Sequence, residues 1–182
     1  MSKSIGAIEF RSISKGIEVS NEIVKKSSVN ICFLKSICIG KFLIIISGDV
    51  SEVEEAIKYG LSLGGNNIID SFIVNAVEEE IINGLKNRYT SKEVNSAIGV
   101  METTKVCSGI KALDKTLKSS DVRLVKLQLA TFLGGKLVYI ITGDLSSVEY
   151  ALNEGKNVIE AKDIVNMCVI PSPDEEIINN LV

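Results

Sequence analysis

The chain has no histidine and no tryptophan, only 2 prolines and 4 cysteines, and no excess of positive charge. Each absence removes a class of function. Without imidazole there is no Ser-His-Asp or Cys-His catalysis and no His-ligated zinc, so acid–base work would fall to carboxylates, Lys or Tyr. Lys+Arg 20 against Asp+Glu 23 gives a net charge of −3, which lacks the basic footprint of a nucleic-acid binder. Cys32, Cys38, Cys107 and Cys168 are too few and too scattered for a disulfide framework, and no pair has C-x-x-C spacing. A reducing compartment follows. The longest apolar runs, Phe42–Ile46 and Leu137–Ile141, fall far short of the roughly 18 residues of a membrane span. Glu9 interrupts the only apolar stretch near the N-terminus, which is unlike a signal peptide. These features predict a cytosolic chain with no nucleic-acid and no membrane partner. What the chain does have is apolar mass: 46% of its 182 residues are hydrophobic, which excludes disorder and calls for a sizeable core or for partners.

The two halves repeat each other. Ile5-Gly6, Glu9 and Gly16-Ile17 recur 93 residues later as Ile98-Gly99, Glu102 and Gly109-Ile110. The offset is 95 at Gly40-Lys41 and Gly135-Lys136, at Gly48-Asp49 and Gly143-Asp144, and at Ala56 and Ala151. Two residues are therefore inserted in the second half between these marks. Near the ends, Glu79-Glu80-Ile81-Ile82-Asn83 matches Glu175-Glu176-Ile177-Ile178-Asn179. A period above 90 is too long for a solenoid unit, so each half is expected to be a domain, over residues 1–90 and 91–182, joined by the polar stretch Asn87 to Ser96.

Within each half the pattern predicts βαββαβα. Ser4 to Phe10 reads as a strand, and Lys15 to Ser27 carries Ile17, Val19, Ile23 and Val24 at helical spacing. Val29 to Ser36 and Lys41 to Ser47 are β-branched runs around a tight loop at Gly40. Gly48-Asp49 breaks the strand, and Ser51 with Glu54 reads as a capping box, repeated as Ser146 and Glu149. Asn67 to Val77 is a fourth strand, and Glu78 to Lys86 a short helix whose acids suit its N-terminal dipole. The fold class is α+β: two tandem ferredoxin-like domains, each a four-stranded sheet with helices on one face. Domains of about 90 residues bury little of their surface alone, so association is expected.

The marks Ile5-Gly6-Ala7-Ile8-Glu9 and Ile98-Gly99-Val100-Met101-Glu102, with the Gly-Lys and Gly-Asp pairs of both halves, resemble bacterial microcompartment shell domains. Over nearly its whole length the chain resembles the tandem-domain, trimer-forming class, and within it the T-type shell proteins of propanediol-utilisation compartments. That resemblance implies a structural protein and not an enzyme. It implies a homotrimer forming a pseudo-hexagonal tile with a central pore, set among other shell proteins in the shell of a microcompartment in the cytoplasm. The loops before Lys41 and Lys136 resemble the pore loops of that class, so Ser36, Ile37, Cys38, Ile39 and Gly40 and the segment Phe132, Leu133, Gly134 and Gly135 are expected to line the pore. Phe33 through Lys41 is 9 residues and Lys126 through Lys136 is 11, which puts the two-residue insertion at the pore.

Cys38 matches the cysteine that, in the T-type proteins, holds a [4Fe–4S] cluster at the threefold axis. The resemblance therefore implies one cluster per trimer with Cys38 as its metal ligand, electron transfer across the shell, and an encapsulated or cytosolic redox enzyme as a further partner. Such a cluster normally has four Cys ligands, so three thiolates leave one iron for another group. Ile39 stands where the T-type proteins have proline, which loosens the backbone restraint on Cys38. Two other readings stay open: a tile whose metal-free pore passes small metabolites, and, from another class, a small-ligand-binding or catalytic α+β enzyme. Cys32, Cys107 and Cys168 have no cysteine at the repeated positions and read as packing residues. Lys25 and Lys118 match the lysine that the family places along tile edges. Read from the residues alone, each is equally a cation suited to a helix C-terminus. Pro171-Ser172-Pro173 departs from the family's Pro-Arg-Pro edge turn.

Overall fold

The computed structural model describes residues 4–38, 40–89, 93–94, 96–129 and 136–181, except the side chain of residue 38. The chain forms two compact units that meet in sequence between Val77 and Glu78. The first contains β1 (Ser4–Phe10), α1 (Ile13–Lys26), β2 (Asn30–Cys38), β3 (Lys41–Gly48), α2 (Val50–Gly64) and β4 (Ile68–Val74). The second contains α3 (Glu79–Leu85), β5 (Ala97–Thr103), α4 (Val106–Ser119), β6 (Val122–Leu129), β7 (Leu137–Gly143), α5 (Leu145–Lys156), β8 (Ile164–Pro171) and α6 (Glu175–Leu181). The helix that ends the first repeat thus packs in space with the second unit.

Each unit holds an antiparallel sheet, in the orders β2-β3-β1-β4 and β6-β7-β5-β8. Strand residues alternate between faces, so Ile8 and Phe10 of β1 and Phe42, Ile44 and Ile46 of β3 meet Val19 and Ile23 of α1 and Val53, Ala56 and Ile57 of α2. Burying one such isoleucine contributes about 2 kcal/mol. The helices come close because the strand gives way: a Cβ on Gly6 would lie 2.5 Å from Ile57 Cγ1. The edge strands β2 and β6 share a bulge at one repeated place, between Ile31 and Phe33 and between Leu124 and Lys126. β1 and β5 share another, at Glu9/Phe10 and Glu102/Thr103.

The four-stranded α+β repeat predicted from sequence is the one observed, with two adjustments. Ser51 and Ser146 do not cap their helices: α2 and α5 start at Val50 and Leu145, with Asp49 and Asp144 at the cap position. The aspartate directly after each glycine breaks the strand and begins the helix, which leaves the serines inside the first turn. Cys168 is exposed on the edge strand β8, so it is not a packing residue in this chain. Cys107 is buried, as expected. Cys32 is half-buried, with its thiol donating to Ser47 Oγ at 3.1 Å.

Candidate functional site

The hairpin between β2 and β3 carries most of the expected pore residues of the first repeat. Cys38 is the last residue of β2, and its backbone pairs with Lys41 at the start of β3. The turn is possible because Gly40 has φ +80, a left-handed backbone that side-chain-bearing residues rarely adopt, while the space around it is open. Ser36 is exposed and Ile37 is buried. Ile39, Phe132, Leu133, Gly134 and Gly135 lie outside the described residues, as does the Cys38 thiol.

An ion pair stands at the base of this hairpin. Lys41 Nζ lies 3.2 Å from Glu9 Oε1, and the repeat places Lys136 Nζ 2.8 Å from Glu102 Oε1. The glutamate's exposure is 0% in the first unit and 31% in the second, so the carboxylate is sealed in one and wet in the other, while both lysines stay partly exposed. Lys25 and Lys118 sit in the last turns of α1 and α4, bonded to Glu22 at 3.2 Å and Asp114 at 2.6 Å. Among the described residues no group of three or more His, Cys, Asp or Glu side chains is gathered as a metal site.

Two polar clusters of the second unit have no counterpart in the sequence reading. Asp163, in the turn before β8, accepts from Ser108 Oγ at 2.8 Å and pairs with Lys105 Nζ at 3.0 Å. Burial by itself would raise its pKa, but the Ser108 hydroxyl and the Lys105 ammonium outweigh that and hold the carboxyl below its ordinary value. The carboxylate also faces the N-terminus of α4, whose cap position holds Lys105 with no side-chain cap bond. The second cluster is Tyr139, whose hydroxyl lies 2.9 Å from Thr116 Oγ1 and donates to Met101 Sδ at 3.2 Å. Burial pushes the phenol pKa far up, with the Thr116 hydrogen bond opposing only in part, so it stays neutral. Both clusters could have been found by comparing the halves, because the repeat puts Asn67 opposite Asp163 and Ile44 opposite Tyr139.

Residues 4–77 and 97–173 each match the BMC domain model. The chain belongs to the BMC-domain family of bacterial microcompartment shell proteins. It is 34% identical to the bacterial microcompartment shell protein PduT of Citrobacter freundii, over 100% of this chain and 99% of that protein. The carboxysome shell protein CcmK2 of Synechocystis sp. is 28% identical over 96 residues, covering 50% of this chain and 93% of its own, as one repeat should. Among solved structures, a microcompartment protein of Desulfitobacterium hafniense DCB superposes with TM-score 0.88 at 30% identity, covering 97% of this chain and 98% of that one. The fused permuted hexameric shell protein MSM0275 of the RMM microcompartment shares the fold, with TM-score 0.61 at 18% identity over 85% of this chain and 82% of that one. This BMC protein is thus a structural shell component of the PduT type, and its relatives are shell proteins and not enzymes. No helix among the described residues is long and apolar enough to cross a membrane.

Proposed function

We propose that this BMC protein forms a homotrimeric, pseudo-hexagonal shell tile, and that three Cys38 thiolates hold a [4Fe–4S] cluster at its centre. The repeats 1–90 and 91–182 are its two shell domains. The observation that carries the reading is the position of Cys38 at the end of β2, at a hairpin held by Gly40 and the Glu9–Lys41 pair. One chain supplies one thiolate there, so a threefold arrangement supplies three and leaves one iron to a water or another small ligand. When bound, the cluster supplies one-electron transfer, and a redox enzyme on either side of the shell is the matching partner. The residues of this chain do the holding: the short turn fixes the Cys38 backbone, and the ion pair ties β1 to β3 beside it. The resemblance assigns the second pore-lining stretch to Phe132, Leu133, Gly134 and Gly135. Lys25 and Lys118, repeated at the ends of α1 and α4, serve the edge contacts with neighbouring tiles.

Anaerobic purification followed by iron and sulfide analysis tests this. Brown protein with about four irons per trimer is expected, and Cys38→Ser should be colourless at unchanged oligomeric mass. Wild-type protein that stays colourless after anaerobic reconstitution would reject the cluster and favour the metal-free pore.

A further inference from the structure

Packing has placed a chemically labile dipeptide in α3. Asn83-Gly84 is the sole Asn-Gly pair in the chain. The glycine is dictated by close approach: a Cβ at residue 84 would lie 3.0 Å from Leu124 Cδ2 and 3.3 Å from Leu127 Cβ, so a side chain there would push α3 away from β6. A residue without a side chain leaves its own backbone nitrogen unshielded. That nitrogen is the nucleophile with which a preceding asparagine side chain can react. At the same place the second repeat has Asn179-Asn180, where a side chain shields the nitrogen.

In the seated helix the reaction is held off. A helical Gly84 N–H points along the axis at the carbonyl four residues back, and ring closure needs the backbone at Asn83 to leave the helical region. Seven residues are too few to hold a helix alone, so α3 persists through its contacts with β6 and α4. Leu124 N–H donates to Glu80 Oε2 at 2.5 Å, Glu78 N–H donates to Asp114 Oδ1 at 3.3 Å, and Ile81 is fully buried. The far end is closed by Lys86 N–H and Arg88 N–H, which donate to the Asn83 carbonyl at 3.0 and 2.8 Å, with Asn87 left-handed at φ 54. The Asn83 backbone therefore turns only when α3 lets go.

We infer that Asn83 is a site of spontaneous covalent modification, gated by release of α3 from β6. The Gly84 nitrogen bonds to the side-chain carbonyl carbon of Asn83, the carboxamide C–N bond breaks, and ammonia leaves with the proton from Gly84. Water then opens the succinimide to aspartate or isoaspartate. Both products add a negative charge in the last turn of the helix, where the dipole disfavours it. Isoaspartate also inserts the Cβ carbon into the main chain, which shifts Ile81 and Gly84 out of step with each other on β6. Release is reversible before the reaction and permanent after it, so the dipeptide records how often α3 has been unseated.

Peptide mapping of full-length protein kept in warm, mildly alkaline buffer, with and without urea, tests this. Because opening is fast beside the chemistry, the rate follows the open population. Asn83 should convert at least tenfold faster in urea than in buffer, and in urea faster than Asn179. Glu80→Ala, which removes the bond to Leu124, should convert at least threefold faster than wild type in buffer; if it unfolds, Ile81→Val loosens the same seat from inside. The isoaspartate form, separated by ion exchange, should lose hydrogen-exchange protection over residues 79–85 while β7 keeps its own, and Asn83→Gln should age without that loss. Equal rates in buffer and urea, or a folded Glu80→Ala or Ile81→Val variant converting at the wild-type rate, would overturn the gate. Asn83 no faster than Asn179 in urea would overturn the site, and full protection of α3 in the isoaspartate form would overturn its permanence.

Discussion

The two repeats fill the same place in their cores with different chemistry. In the first unit Ile8, Ile23 and Ile44 pack beside Gly60, where a Cβ would meet the Cδ1 atoms of Ile23 and Ile8 at 2.6 Å. In the second, the equivalent Met101, Thr116 and Tyr139 form a hydroxyl–thioether cluster beside Gly155. There a Cβ would lie 2.1 Å from Thr116 Oγ1 and 2.8 Å from the Ala112 carbonyl oxygen. The difference teaches that the backbone tolerates either solution as long as the helix keeps its glycine. An all-apolar core adapts by rotating methyl groups, whereas a hydrogen-bonded one has its geometry fixed by partners.

The largest way to break this comparison is to add one methyl group at each glycine. Gly155→Ala pushes into a backbone carbonyl and an engaged hydroxyl, so it should cost about 3 kcal/mol, while Gly60→Ala, facing movable side-chain ends, should cost about 1. Hydrogen-exchange protection read separately on α5 and α2 checks this. Similar losses at both sites would mean that the hydroxyl cluster is no stiffer than its apolar twin.

The helix starts differ next. In the first unit Ser12 caps α1 locally, accepting from Lys15 N–H at 3.3 Å, whereas at the equivalent end of α4 the distant Asp163 binds the side chains of Ser108 and Lys105. Asp163→Asn should destabilise the second unit by about 1–2 kcal/mol. The folded pKa of Asp163 is depressed, so its contribution is complete above the unfolded pKa and is lost as pH falls through the folded value. The wild type should therefore shed this stability only below about pH 4, and Asp163→Asn should flatten that acid limb in a thermal-melt series. An unchanged acid limb would show that Asp163 is not the group that senses acid.

The smallest contrast lies between the hairpin ion pairs. Glu102→Gln should change stability by no more than about 0.5 kcal/mol, and less in high salt, because the pair is wet. Glu9→Gln, at a sealed carboxylate, should cost about 2 kcal/mol and respond little to salt. Equal costs in a salt-dependent unfolding series would erase the distinction.

The fold was legible wherever local chemistry and the repeat agreed. Ile5-Gly6 and Gly48-Asp49 mark strand and break in both halves, and Gly40 marks the hairpin. The helix starts were misplaced because Ser51 and Glu54 fit a capping pattern as well as Asp49 fits a cap, and only the backbone decides between them. Cys168 looked like packing because its strand is apolar, but an edge strand has a neighbour on one side only. The Asp163 cluster joins residues 55 and 58 apart, a distance over which no spacing rule operates. For the candidate site, the cysteine and the hairpin glycine could be read directly, while the pair of Glu9 and Lys41 came from strand register, 32 residues apart.

The shared bulge of the outer strands has a consequence for engineering. Two residues entered the chain at the second loop, yet the crease at Ile31/Phe33 and Leu124/Lys126 stayed where it was. Deleting a single residue at that crease would restore strict alternation and turn the remaining stretch of strand inside out. The aim of the whole hairpin is therefore decided upstream of it, and grafting a new loop onto this scaffold should succeed only if the kink behind it is left untouched.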